Sequence, residues 1–398
     1  MNDLRQNSNA SRSAYMGILL LGIVSLMGDI VYEGSRGIVP SYLKFLGATG
    51  IIVGLVGGLG DFLGHAVRLV SGFLADATRS YWFFIFLGYG LIASIPLLGA
   101  SHSLEIAIIL VLLERFGKAF RSPARDTVLS VISKNVGAGK AFGFHELLDQ
   151  IGAITGPLIV TGVMLATSNY NYTFAVLSIP FLILLAVLAY TYKRIRPETI
   201  LGQQKATGEK KEKLSKPFYI YTFAVLLNTV GLIPFTLILY KASNILSAEQ
   251  QWIVPLIYTL IQGVDASIAL ASGYAYDKFG IKVLILPFFL SLFPSLLVMV
   301  NSDLSIIMVA AIFFGLVLGM QESIYRAAVS QLAPISLRGT AYGIFNTAYG
   351  IGFLVSGAVF GLLIDFKISL ITVLLYIFIT QIIAIASLLS VRSKTELH

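Results

Sequence analysis

Asp29, Glu33 and Arg36 stand four and three residues apart in MGDIVYEGSRGIVP (27–40), inside an apolar run long enough to cross a bilayer. That spacing places them on one helical stripe. A charge at mid-bilayer costs at least ~2.5–3.5 kcal/mol, so three together need a purpose. The pattern recurs. Asp61, His65 and Arg68 repeat the spacing within the Gly-rich GLVGGLGDFLGH and the residues after it. A later run carries Glu114, Arg115, Lys118, Arg121 and Arg125, and the next carries His145, Glu146 and Asp149. Carboxylates and imidazoles exchange protons; burial raises a carboxyl pKa and a neighbouring Arg lowers it. Asp29, Glu33, Asp61, His65, His145, Glu146 and Asp149 are therefore candidate proton-coupling residues. Arg36, Arg115 and Arg121 are candidates for binding a substrate's charge. Two other readings stay open. The acids could neutralise the arginines permanently, as structural glue, or some of the Asp, Glu and His could ligate a divalent ion. The abundance of Arg opposes a cation site, and no metal is expected.

The elements that position these residues are hydrophobic. The chain has 398 residues, 57% hydrophobic and only 12% charged, about half the usual charged fraction of a soluble protein. Its mean hydropathy is +0.85. Such a chain cannot make a charged skin, so it is an integral membrane protein. It has no Cys, which excludes disulfides and thiolate metal sites. The net charge of +8 lies mostly in short segments between apolar spans, which favours membrane topology over nucleic-acid binding. The first span lacks the short apolar core and small-residue cleavage site of a signal peptide, and is expected to stay as a membrane helix.

A crossing helix needs about 20 apolar residues. Breaks at charge clusters, Gly/Pro and polar loops predict twelve spans: 14–46, 49–75, 81–100, 103–131, 138–166, 171–193, 216–243, 249–275, 281–300, 303–332, 338–364 and 368–391. Between the sixth and seventh lies YKRIRPETILGQQKATGEKKEKLSKP, with eight Lys/Arg and three acids. The expected organisation is a six-helix bundle (1–192), a cytoplasmic linker (193–216) and a second six-helix bundle (217–398). Arg79, Lys134, Lys140, Lys278, Lys282 and Arg338 lie in loops on the linker's side. Little beyond Lys44, Lys241 and Lys367 lies opposite, so both termini are expected in the cytoplasm.

The halves resemble each other. GKAFGFHELLDQIGAITGP (139–157) aligns without gaps on GTAYGIFNTAYGIGFLVSG (339–357) at an offset of 200. At an offset of 201, Gly72, Asp76, Ser122 and Arg125 match Gly273, Asp277, Ser323 and Arg326. Parallel half-repeats are a transporter architecture. In the second half the polar intramembrane candidates are Asn228, Gln262, Asp265, Gln321, Glu322, Arg326 and Asn346, and Tyr258, Tyr325, Phe345 and Tyr349 could form an apolar wall; Gln262, Asp265, Glu322, Tyr325 and Asn346 are the candidates for substrate binding.

With these features the chain resembles the major facilitator superfamily. The most specific likeness is the loop motif after the second span, GFLADATRSYW, which keeps Gly72, Leu74, Asp76 and Arg79 but has Ser80 where Gly is expected. Its copy GYAYDKFGIK keeps Gly273, Asp277, Lys278 and Gly280. The resemblance implies gating roles for Gly72, Asp76, Arg79, Arg125, Gly273, Asp277, Lys278 and Arg326: acids at helix ends pair with neighbouring cations and hold one conformation shut. GAITGPLIVTG (152–162) resembles the Gly-xxx-Gly-Pro motif of the family's antiporters, which goes with export, and it is equally a small-residue packing seam. ERFGKAFRSPARD (114–126) is similar to the family's fourth-helix motif.

The resemblance implies an all-α membrane fold of twelve helices in two pseudo-symmetric six-helix bundles. It also implies a multi-pass protein of the cell membrane that acts as a monomer on a small molecule and protons, without a cofactor. The expected function is proton-coupled secondary transport by alternating access, exporting a small amphipathic or organic compound. Alternatives are uptake of an anionic metabolite, a lipid-handling flippase, a divalent metal exporter or a receptor on the same fold. No Gly-rich phosphate loop with Lys-Ser/Thr and no Ser/His/Asp constellation is present, so neither ATP drive nor enzymatic activity is expected.

Overall fold

The computed structural model describes residues 2–133, 136–195, 213–301, 303–334 and 337–391, with side chains from residue 14 onward except that of Ala138. Lys134, the central part of the expected linker (196–212) and residues 392–398 lie outside the described residues. The described chain is almost wholly helical, as its apolar runs dictate: in lipid, a segment that keeps its backbone hydrogen bonds to itself avoids leaving polar groups unpaired.

Twelve rods follow one another among the described residues. They are α1 (Asn2–Phe45), α2 (Gly50–Thr78), α3 (Tyr81–Ala100), α4 (Leu104–Ile132), α5 (Ala138–Thr167) and α6 (Tyr170–Arg194), then α7 (Lys216–Ile245), α8 (Ile253–Phe279), α9 (280–300), α10 (Leu304–Leu332), α11 (Arg338–Asp365) and α12 (Leu370–Leu389). Ten segments are long and apolar enough to cross a membrane by length and composition. The α4 rod is equally long but is interrupted by six charges from Glu114 to Asp126, and Ala248–Val300 counts once though it folds at Gly280 into α8 and α9. Apart from the start of α1, each rod's ends lie within four residues of the expected span.

The chain divides into two compact units, Met1–Arg36 with Val67–Ala206, and Gly37–Ala66 with Thr207–His398. In the first, α3 packs along α4 and α1 crosses α5. The α1–α5 crossing is made by glycine. A Cβ on Gly34 would sit 3.1 Å from the Gly156 carbonyl, and one on Gly152 would sit 2.7 Å from the Asp29 Cβ. These are the small residues of the Gly-xxx-Gly-Pro stretch, and α1 is the helix they admit. In the second unit, α7 packs on α11 and α12, and α8 on α10. Residues 37–66 belong there because Gly54 meets Gly357 backbone to backbone, and a Cβ on Gly350 would come within 3.0 Å of Phe62. The Asp365 carboxylate at the end of α11 accepts from the amides of Gly50 and Ile51, both at 2.8 Å, and so caps the start of α2.

Interruptions fall where the sequence removes a donor or changes the hydrogen-bond register. In α7, residues 231–234 (GLIP) leave the helix. Their backbone is satisfied from other helices: the Ile233 amide donates to Ser295 Oγ (2.8 Å), Ser295 Oγ donates to the Gly231 carbonyl (2.9 Å), and the Ser356 hydroxyl donates to the Leu232 carbonyl. In α10 one π-helical turn spans Gln321–Tyr325, a distortion common at functional sites.

The two loop motifs end alike. Gly280 closes α8 at φ +63°, and its counterpart at an offset of 201 is Arg79, at φ +53°. The left-handed position of the first copy is therefore 79, not the Ser80 where the family pattern places Gly. A side chain there strains the backbone. We predict that Arg79→Gly raises stability by about 1 kcal/mol, read as a higher midpoint of thermal unfolding in detergent, whereas Gly280→Arg lowers it.

Candidate functional site

In the first unit, three helices bring the expected charges together. Helix α1 contributes Asp29 and Glu33, which are 3% and 5% exposed, and Arg36. Helix α4 contributes Glu114, Arg115, Lys118, Arg121 and Arg125, and α5 contributes His145 and Asp149. Glu33 Oε1 lies 3.0 Å from Arg36 and 3.5 Å from Lys118. Glu114 lies 3.5 Å from Arg115 Nε. Arg125 donates to Ser25 Oγ at 2.7 Å, pairs with Asp126 at 2.9 Å and lies 3.6 Å from Asp149. His145 Nδ1 lies 3.3 Å from the same Asp149 oxygen. Asp149 is thus shared between a fixed cation and a titratable ring. Asp29 has Tyr32, Glu33, Lys118 and Asp149 as its electrostatic neighbours.

Arg121 is arranged differently. It is 2% exposed and its guanidinium lies between two rings, 4.8 Å from the centroid of Tyr32 and 5.1 Å from that of Tyr89. Lys118 and Arg36 lie over the same Tyr32 ring at 4.5 and 5.7 Å. A ring face attracts cations, so Tyr32 gathers three.

Tyr32, Tyr89, Ser25 and Lys118 were given no role by the sequence, although Lys118 is three residues from both Arg115 and Arg121 and Tyr32 is three from Asp29. Those helical spacings were the available signal. Glu146 is brought elsewhere: its side chain is exposed, accepting from Gln150 at 3.4 Å. Of the gating residues, Arg125 belongs to the buried cluster. Gly72 faces Pro123 of α4, Asp76 accepts from the Tyr81 hydroxyl at 2.9 Å and Arg79 is in the turn.

Asp61 and His65 were grouped by sequence with the first-half acids. They lie in the second unit instead, because the α2 glycines seat residues 50–66 along α11. His65 meets the Tyr349 ring edge-on with centroids 5.3 Å apart, and Asp61, Glu322 and Arg326 are electrostatic neighbours of Tyr349. Glu322 and Arg326 are exposed, Asn346 is half-buried, and Gln262 and Asp265 are buried on α8. Gly273 faces Ser323 of α10, the counterpart of Gly72 facing Pro123. Asp277 is exposed at the end of α8, and Lys278 lies over the Phe279 ring at 5.2 Å.

An uncharged network fills the core of this unit. Asn228, fully buried on α7, donates to Ser291 Oγ (2.6 Å) and Gln381 Oε1 (2.8 Å), and accepts from the Tyr325 hydroxyl (3.0 Å). Tyr349 donates to Gln321 at 2.7 Å. Tyr325 and Gln321 both come from the π-helical turn, which turns them toward α7 and α11. Gln381 and Ser291 were not singled out from sequence; a lone Gln in the apolar YIFITQIIAIA of α12 was the signal. Among the described residues, no group of three or more Asp, Glu or His side chains is placed to hold a metal ion. Each buried polar atom left without its partner costs about 1–3 kcal/mol. Asn228→Ala is therefore expected to lower stability by more than about 2 kcal/mol and Tyr349→Phe by about 1 kcal/mol, as read by thermal unfolding in detergent.

Comparison with known proteins agrees with this architecture. A family model described as Major Facilitator Superfamily matches residues 17–357 and 218–396. An uncharacterised protein of Mycobacterium tuberculosis is 35% identical over 391 residues, covering 96% of this chain and 94% of that protein. An uncharacterised MFS-type transporter of Methanocaldococcus jannaschii is 27% identical over 373 residues, 92% of each. Two solved structures share the fold: a peptide transporter, POT (TM-score 0.75, 12% identity, 94% of each chain), and the nucleoside transporter NupG (TM-score 0.71, 14% identity, 94% of this chain and 100% of that one). The chain belongs to the major facilitator superfamily.

Proposed function

We propose that this protein is a proton-coupled secondary transporter of a small organic molecule, working by alternating access as a monomer in the cell membrane, with both termini in the cytoplasm. The observation that carries the reading is the Asp149 carboxylate, held at 3.3 Å by His145 and at 3.6 Å by Arg125 from a different helix. A proton gradient does work only through a site whose proton affinity differs between two states. Moving α4 against α5 changes the distance from Asp149 to a fixed positive charge, and that distance sets the carboxyl's affinity for a proton. The same logic extends to Glu33, which is clamped by Lys118 of α4, and to Asp29, whose Cβ abuts Gly152 of α5.

Export is supported by the Gly152-Gly156-Pro157 resemblance to antiporters, and the α1 seam of that motif runs beside Asp29. The transporter neighbours, for peptides and for nucleosides, support small organic cargo. The paired Asp76–Tyr81 contact and the matching α8 end at Asp277 suit gates that change partners in the cycle.

The test is a transport screen in proteoliposomes, with and without an imposed pH gradient, followed by single replacements. The wild type is expected to accumulate its substrate only with the gradient. Asp149→Asn is expected to lose accumulation at least about tenfold, while keeping substrate exchange without a gradient. Full gradient-driven accumulation in Asp29→Asn, Glu33→Gln and Asp149→Asn alike would show that the charges of the first unit are structural.

A further inference from the structure

Residues 37–66, the end of α1 and the first part of α2, belong by sequence to the first repeat but pack in the second unit. Their counterparts at an offset of 201, residues 238–267, stay with their own repeat. A seam between α2 and α11 holds the stretch. Gly50, Gly54, Gly58 and Phe62, each four residues after the last, meet Gly361, Gly357, Phe353 and Gly350. The first three meetings are backbone on backbone, a close approach that small residues allow. On a neighbouring face of α2, Gly57 meets the Thr236 side chain of α7. Asp365 closes the seam at the start of α2. Its half-buried carboxylate accepts from the Gly50 and Ile51 amides, both at 2.8 Å, and the α2 dipole favours its charge. The loop before α2 offers little in its place: the Ile52 amide reaches Thr49 Oγ1 only at 3.5 Å. Lys44 adds a second tie from the end of α1, donating to the Ser243 carbonyl near the end of α7 at 2.5 Å.

The other repeat does without such a tie. Its α7–α8 turn is held by its own Gln251, which accepts from the Ser243 hydroxyl at 2.7 Å and donates to the Ser243 and Leu246 carbonyls at 3.1 and 3.0 Å. Leu165, whose side chain has no acceptor, stands at the counterpart of Asp365 at an offset of 200. We propose that Asp365 is a latch: its cap locks α2 onto α11, holds shut the face of the protein away from the linker, and breaks when that face opens. The inference rests on the alternating-access reading above, in which one repeat rocks against the other, and names the contact that the rocking releases. Residues 37–66 must then either leave α11 or stay on it while α1 and α2 bend. The cap favours leaving. Water reaches a half-buried carboxylate, so its hydrogen bonds pass to water as the seam parts and return as it closes.

The chain has no Cys, so one introduced thiol reports on the seam alone. Thr236 is 6% exposed and lies against the second turn of α2, beyond the first turn that loss of a cap frays. Purified Thr236→Cys in detergent is treated with a charged maleimide, which reacts with a thiolate that water reaches. Adding Asp365→Ala is expected to speed the reaction at least about tenfold, because both charge-assisted hydrogen bonds of the cap are lost. Two controls accompany it. Ala384→Cys, fully buried on α12, is expected to stay unreactive beside Asp365→Ala. Gln251→Ala, which removes the tie of the other repeat, is expected to leave Thr236→Cys as slow as before. The proposal is overturned if Asp365→Ala does not speed the reaction, since α2 then stays on α11 without its cap. It is overturned equally if Ala384→Cys gains reactivity with it, which makes Asp365 a prop of the whole unit, or if Gln251→Ala matches Asp365→Ala. The assay uses neither a gradient nor cargo, so its failure leaves proton coupling untouched, and a failed gradient experiment leaves the latch standing.

Discussion

A charge carried into lipid must have a counter-charge or water beside it. Most of the first unit follows from that constraint. Helix α4 brings Arg115, Lys118, Arg121 and Arg125 into an apolar rod, and its own Glu114 and Asp126 are joined there by carboxylates from α1 and α5. The glycines of the α1–α5 crossing serve that end. Gly34, Gly152 and Gly156 let the helices approach until Asp29 packs on α5, where it lies near Asp149. Packing and electrostatics are therefore one arrangement, and a shift of α4 alters both.

The second unit is held mainly by uncharged polar groups. Asn228, Ser291, Gln321, Tyr325, Tyr349 and Gln381 satisfy one another, and the serines of α9 and α11 satisfy the opened turn of α7. Neutral hydrogen bonds hold a geometry with little dependence on pH. The first unit is held by ion pairs instead.

Spacing and hydropathy were enough to find the helices and the charged stripes, because both signals are local. The rods from α2 to α12 follow apolar runs that read directly as spans, and the i, i+3 and i, i+4 pattern placed Asp29, Glu33 and Arg36 on one face. What the sequence concealed were relations between distant residues. That Asp61 and His65 lie beside Tyr349 depends on glycines 54 and 357 meeting across some three hundred residues of chain. That Arg79 takes the left-handed position, one residue before the site expected from the motif, depends on where α2 ends. Arg121 was legible as a charge. Its place between the Tyr32 and Tyr89 rings depends on helices that meet only in the fold.

The central claim is that ion pairs between α4 and its neighbours hold this arrangement and are the element the transport cycle changes. A double-mutant cycle on Arg125 and Asp149, read as thermal unfolding in detergent, tests it most directly. Removing one member of this half-buried pair leaves the other with fewer partners, Asp126 for Arg125 and His145 for Asp149. The account predicts that Arg125→Gln with Asp149→Asn together is no less stable than either single variant. Strictly additive losses would show that the two groups do not interact and would contradict it.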